Sequence, residues 1–115
     1  MEIVIKSIGD KGDLANERVG LTVLVTCELK YFLVIRTKKT DGGFQNKGTD
    51  YFWFLPQQVN ANDKIVLYTR AGQNSVKENL DGTKTYFFYW SLSSPIFKTA
   101  NDIVVLANLK NWKLS

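Results

Sequence analysis

The apolar residues of this chain fall into short runs, rich in β-branched and aromatic side chains, that are separated by clusters of Gly, Asn and Asp. This spacing is typical of an all-β domain. The runs predict seven strands and a weaker eighth, with no helix longer than one turn. The predicted strands are Glu2–Ile8, Glu17–Thr26, Lys30–Thr37, Tyr51–Leu55, Lys64–Arg70, Lys84–Trp90 and Ile103–Ala107, with the weaker one at Leu109–Lys113.

The strand Glu17–Thr26 has the clearest alternation. Every second residue from Val19 to Val25 is apolar, and only Leu24 interrupts the polar residues and glycine between them. In an extended strand this places the valines and Leu21 on one face, which we expect to be buried.

Turn residues separate the predicted strands. Asp41-Gly42-Gly43, Asn62-Asp63 and Asp81-Gly82 contain the residue types that best tolerate left-handed backbone angles. The chain has no recognisable linker, internal repeat or low-complexity segment. We therefore predict one domain over residues 1–115, an all-β, immunoglobulin-like β-sandwich of seven or eight strands.

Two aromatic runs raise the question of what their rings contact. In a strand, Tyr86, Phe88 and Trp90 share one face while Phe87 and Tyr89 share the other, and the run Tyr51–Phe54 alternates in the same way. Aromatic rings bury a large area, so we expect one face of each run in the core and the other under a loop or a partner. The alternative is an exposed row of rings that binds a ligand. The two runs are also expected to pack on each other through one shared face.

Composition excludes several classes of site. The 115 residues include no His and a single Cys, Cys27, so no internal disulfide forms and the usual zinc, copper and iron sites lack ligands. No apolar run is long enough to span a bilayer, and charge interrupts the first apolar residues too early for a signal peptide. These features predict a cytoplasmic chain with no metal and no cofactor. The net charge of +4 is only mildly basic.

The catalytic constellations are also incomplete. Without His, neither Ser-His-Asp nor Cys-His catalysis is available, so the sequence does not predict an enzyme. Four carboxylates, Asp13, Glu17, Asp63 and Asp102, lie at predicted strand ends and offer an alternative Mg²⁺ or Ca²⁺ site. The favoured interpretation is that Asp63 and Asp102 form turns and that Glu17 bonds to backbone donors or to Arg18.

Cys27 directly follows an apolar strand. A buried, unreactive thiol is the favoured interpretation for such a position.

The segment from Arg36 to Asp50 is the strongest candidate for binding. It is longer than a hairpin needs, and its cations surround a glycine-rich tip that carries one aromatic residue. Such a tip suits a phosphate backbone, a base or an acidic protein surface. The candidate partner-binding residues are Arg36, Lys38, Lys39, Phe44 and Lys47.

Several separated segments form a recognisable pattern when they are taken in order. They are Asn16-Glu17, Asp63 before Ile65–Thr69, Gly72, Tyr89–Leu92, Phe97, and Asn101-Asp102 before Ile103–Leu106. Together they resemble the pattern of lamin-tail-like domains, especially their bacterial branch. Phe97 stands where the family has Trp, the family's last turn glycine is missing, and Cys27–Thr37 replaces its early Gly-Trp strand. The resemblance implies an immunoglobulin-like sandwich that serves in adhesion or binding.

Two classes of function follow. The first is a non-catalytic binding or adaptor domain that recognises a protein partner through a sandwich edge, an aromatic strand face or the loop 36–50. The alternative is a nucleic-acid-associated module that uses the same basic loop, with weak and sequence-independent binding. Neither the identity of the partner nor the oligomeric state follows from the sequence.

Overall fold

The computed structural model describes residues 1–115 and is all-β, with one 3₁₀ turn at Leu29–Tyr31. The strands are β1 (Ile3–Gly9), β2 (Arg18–Val23), β3 (Cys27–Glu28), β4 (Phe32–Thr40), β5 (Gly43–Phe44), β6 (Asp50–Trp53), β7 (Gln58–Val59), β8 (Lys64–Tyr68), β9 (Ser75–Glu78), β10 (Lys84–Tyr89) and β11 (Asp102–Asn108). Each of the seven main predicted strands coincides with one of the longer observed strands. No helix of the chain is long and apolar enough to cross a membrane.

The structure differs from the predicted elements in several places, and it adds the two-residue strands β3, β5 and β7. No strand forms at Leu109–Lys113. The strand β9 was not predicted, because all four of its residues are exposed and show no alternation. The strand β2 ends at Val23, after which the amides of Leu24 and Val25 both donate to the carbonyl of Glu2. Val25 therefore leaves the buried face and is 57% exposed.

The strands form two main sheets and one short pair. The larger sheet has the order β1-β2-β8-β10-β9, in which β8 and β10 run parallel and the other pairs are antiparallel. In the smaller sheet, β4 lies between β11 and β6, and β5 pairs with the far end of β4. The strands β3 and β7 pair separately.

One hydrophobic core lies between the inner faces of these sheets, an arrangement compatible with a β-sandwich. Its residues come from every long strand and from the segment that precedes β11. They are Ile3, Val19, Leu21, Val23, Leu29, Phe32, Val34, Phe54, Val59, Ile65, Leu67, Tyr86, Phe88, Trp90, Ile96, Phe97 and Val104.

The aromatic run of β10 is covered on both faces, as predicted. Phe88 lies in the core, where its ring contacts those of Phe52 and Phe54 at centroid distances of 6.2 and 5.2 Å. On the outer face, the segment between β8 and β9 crosses Tyr89. A Cβ on Gly72 would lie 2.4 Å from the Tyr89 ring, so this crossing requires glycine. The two aromatic runs thus pack on each other through one shared face.

Candidate partner-binding face

The loop 36–50 is a hairpin that folds back on its own strand. The strands β4 and β5 are joined by a tight turn at Asp41-Gly42, where Gly42 has a φ of +82°. The Thr37 hydroxyl donates hydrogen bonds to the carbonyls of Gln45, at 2.8 Å, and Lys47, at 3.3 Å. These bonds hold the returning segment against β4, so the predicted basic tip has a defined position.

Two of the four predicted cations are already paired within the chain. Arg36 lies 3.1 Å from a carboxylate oxygen of Asp50, and Lys38 lies 2.9 Å from one of Asp102. Lys39 and Lys47 are exposed and form no ion pair. Phe44 lies opposite Lys39 in the hairpin and is 54% exposed. The structure therefore keeps Lys39, Phe44 and Lys47 available to a partner.

The outer face of the smaller sheet carries rings that were expected to be covered. Phe52 of β6, and Phe54 directly after it, point into the core. Tyr51 and Trp53 lie on the opposite face and are 57% and 42% exposed. The segment at Gly48 contacts only the end of the Tyr51 ring, where the hydroxyl donates to the Gly48 carbonyl. The loop therefore covers Tyr51 only in part, and cover by a partner stays a prediction. The outer rings of β6 are therefore more exposed than those of β10.

The chain after β11 adds a further ring beside Trp53. The amide of Leu109 donates to the Tyr31 carbonyl, which directs the following residues towards β6. The Trp112 ring then packs edge-on against Trp53, at a centroid distance of 4.9 Å, and lies 5.6 Å from the Tyr31 ring. The Trp53 indole donates a 2.7 Å hydrogen bond to the Lys30 carbonyl, which fixes its orientation.

We call this surface the aromatic face and define it by Tyr31, Tyr51, Trp53 and Trp112. A shallow groove of about 310 Å³ runs beside it. The groove is lined by Lys30, Trp53, Phe54, Leu55, Pro56 and Trp112. Sequence analysis missed the contribution of Trp112, because nothing in the pattern shows that the last residues return to β6.

Glu17 has a structural role that involves distant parts of the chain. Its side chain is fully buried and accepts four hydrogen bonds, from the amides of Gly12, Ile96 and Phe97 and from the Thr69 hydroxyl. The predicted alternative contact with Arg18 does not form, because Arg18 pairs with Asp10. Glu17 therefore fastens the segment before β11 to the larger sheet.

Asp63 and Asp102 bond to turn amides, as predicted. Asp63 accepts from the amides of Asn60 and Lys84, both at 2.9 Å. Asp102 accepts from the amides of Lys98 and Thr99, and from the Lys38 ammonium group. No three acidic or Cys side chains of the chain gather closely enough to hold a metal ion.

The pKa of Asp102 reflects two opposing influences. Burial raises it, but the hydrogen bonds from Lys38 and from the Thr99 amide and hydroxyl outweigh that effect and lower the pKa from 3.8 to about 2. A carboxyl whose pKa is depressed on folding stabilises the protein above its unfolded pKa, and this stabilisation is lost as pH falls through the folded value.

We therefore expect the stability difference between wild type and Asp102→Asn to be largest above pH 4 and to shrink towards pH 2. Chemical denaturation at a series of pH values measures this difference. Asp41→Asn, at an exposed turn, is the control and should show no such trend. A difference for Asp102→Asn that is independent of pH would contradict the assigned hydrogen bonds.

Cys27 is half-buried rather than fully buried, and forms no disulfide. Burial raises the pKa of its thiol, and the charges of Glu2 and Glu28 raise it further. Because the thiolate is the reactive form, this environment suppresses nucleophilic chemistry at Cys27.

Comparison with known proteins gives no relative for this chain. No family model, no curated protein and no solved structure matches it.

Proposed function

We propose that this chain is a small, non-catalytic binding or adaptor domain that recognises a protein partner through the aromatic face. The observation that carries this proposal is the group of partly exposed rings on one side of the smaller sheet. Tyr and Trp are enriched among the residues that contribute most to protein interfaces. An exposed patch of large apolar side chains is typical of an interaction site.

Charge around the aromatic face favours an acidic partner. Lys30 lies beside Trp53, and Lys39 and Lys47 lie on the neighbouring hairpin, all without an ion pair. Arg36 and Lys38 hold the carboxylates of Asp50 and Asp102. Asp41, in the hairpin turn, and Glu28, which accepts from the Lys30 amide, are further carboxylates close to these lysines and offset part of their charge. We therefore propose that the partner presents an apolar segment flanked by acidic residues, whose charges would speed association and select the orientation.

The lamin-tail-like, immunoglobulin-like assignment belongs to the same proposal. The residues that carry the resemblance support it by their proximity, because Glu17 bonds to Thr69 and to Phe97 across the chain. The amide of Leu92 also donates to the Thr69 carbonyl. Four of the matching segments thus meet at one end of the larger sheet. A cytoplasmic location remains a prediction from the composition.

Removing the two rings of β6 should abolish partner capture. We expect Tyr51→Ser with Trp53→Ser to weaken binding by at least thirtyfold, because even one central aromatic residue of an interface contributes about 2 kcal/mol or more. The measurement is quantitative affinity capture from extract of the native host, with each captured protein titrated against wild type and variant.

The control is Leu80→Ser, which removes a fully exposed apolar side chain from the turn between β9 and β10. This variant should bind like wild type. Equal binding by the double variant and wild type, with unchanged melting temperatures, would reject the aromatic face as the binding site.

The alternative function is nucleic-acid association through the loop 36–50. Because Lys39 and Lys47 alone remain unpaired there, at most two phosphates would be neutralised, and binding would fall about tenfold between about 50 and 200 mM salt. We expect only weak, sequence-independent binding of a labelled duplex, lost near about 150 mM salt. Micromolar or tighter binding at that salt, abolished by Lys39→Glu with Lys47→Glu, would make this the leading function.

A further inference from the structure

The strand β11 leaves one edge of the smaller sheet open. It pairs along Asp102–Asn108 with β4 and with no other strand. The Lys39 amide donates to the Asn101 carbonyl and the Leu109 amide to the Tyr31 carbonyl, so the odd-numbered residues of this segment direct their backbone groups towards β4. The even-numbered residues, including Val104 and Leu106, therefore direct their N–H and C=O groups away from the sheet.

The other edge strands of the two main sheets, β1, β9 and β6, carry features that discourage pairing. The register of β1 shifts between Ile5 and Ser7, with Lys6 at the irregularity. The strand β9 has only four residues, and two of them are charged. The strand β6 also has only four residues, and the first of them is Asp50. Bulges, charges and short length are the usual protections of an edge strand.

The edge of β11 is longer than those of β6 and β9, and its one charged residue is Asp102, at the start of the strand. From Ile103 to Asn108 it contains no charged residue, no Pro and no Gly, and its register with β4 is regular. The chain beyond Leu109 turns towards Trp53, on the opposite side of β4, and so does not pair with this edge. At the end of β11 the Asn108 side-chain amide donates to the Glu2 carboxylate, and no strand pairs with Ile103–Ala107 on this side. An uncharged, regular edge of this kind is a template for another strand of similar character.

We infer that β11 pairs with β11 of a second copy of this chain, antiparallel and about a two-fold axis at Val105. In that register Val104 faces Leu106 of the second copy, so the free backbone groups of the even-numbered residues meet one another. Ile103 faces Ala107 of the second copy. Side chains on the core side of one sheet continue on the core side of the other, and the same holds for the outer side. In this register the edge of β11 is complementary to the same edge of a second copy, and this self-complementarity favours a second copy over an unrelated strand.

The pairing would join the four-stranded smaller sheets of two copies into one continuous sheet of eight strands. Because the two-fold axis is perpendicular to this sheet, both aromatic faces lie on the same side. The dimer then presents two identical binding surfaces to a partner, which raises avidity without any new contact. The pairing itself does not depend on the proposed function.

The oligomeric state in solution tests the inference. Light scattering after size exclusion, at tens of micromolar protein, should give twice the 13.1 kDa of the chain. Val105→Lys and Val105→Glu should each be monomeric, because like charges lie directly opposite at the axis. An equimolar mixture of these two variants should restore the dimer, and Val105→Thr, which keeps a β-branched uncharged residue, should remain dimeric.

Hydrogen exchange gives a second measurement that needs no variant. In wild type the amides of Val104 and Leu106 should exchange more slowly as protein concentration rises, whereas that of Val76 on β9 should not change. A monomeric wild type at hundreds of micromolar would overturn the inference. A Val105→Lys variant that is as dimeric as wild type would also overturn it. The same holds if exchange of the Val104 and Leu106 amides does not depend on protein concentration.

Discussion

Phe88→Ala should lower the free energy of unfolding by about 3–5 kcal/mol, the usual cost of truncating a buried phenylalanine. The Phe88 side chain is 6% exposed and contacts the rings of Phe52 and Phe54 from the opposite sheet. Its loss would leave a cavity between the two sheets that backbone movement cannot fill. Denaturant unfolding followed by tryptophan fluorescence measures the change.

Phe87→Ala is the matched control for this prediction. Phe87 is the next residue of β10, but its ring lies on the outer face and is only half-buried. We expect a loss of about 1–2 kcal/mol, in proportion to the smaller area buried. Equal losses for the two variants would contradict the assignment of the inner and outer faces of β10.

Glu17→Gln should destabilise the protein by about 2–4 kcal/mol, although it preserves the size of the side chain. Both carboxylate oxygens of Glu17 accept from two donors each. A Gln amide replaces one of these acceptors by an NH₂ group, which then faces backbone N–H groups. A buried donor left unpaired loses its hydration without compensation.

For Glu17→Gln we expect faster local hydrogen exchange as well as a lower melting temperature. Because Glu17 fastens the amides of Ile96 and Phe97, these two amides should exchange with solvent much faster in the variant. Asp13→Asn, an exposed substitution in the same turn, should change neither stability nor exchange by a measurable amount. A Glu17→Gln protein as stable as wild type would show that these hydrogen bonds contribute no net stability.

The strands could be predicted because alternation and turn residues are local properties of the chain. The buried face of β2 follows from every second residue, and the burial of Phe88 follows from its position in β10. The strand β9 was not predicted, because none of its side chains is buried and its sequence therefore shows no alternation. Its position depends on pairing with β10 and not on any hydrophobic pattern.

The candidate site depended on contacts between distant residues, which the pattern does not contain. Lys38 and Asp102 are 64 positions apart, so the pairing that neutralises this loop cation could not be anticipated. Trp112 reaches Trp53 only because the chain turns after β11. Glu17 was expected to bond to backbone donors, but two of those donors lie 79 and 80 residues away.

The central claim is that the aromatic face contacts a protein partner, and hydroxyl-radical footprinting of the captured complex tests it most directly. Oxidation of Tyr51, Trp53 and Trp112 should be several-fold slower in the complex than in the free chain, because a partner seated there excludes solvent from all three rings. Oxidation of Leu80, on the other sheet, should be unchanged. Unchanged oxidation at Tyr51 and Trp53, with protection elsewhere on the molecule, would contradict the account.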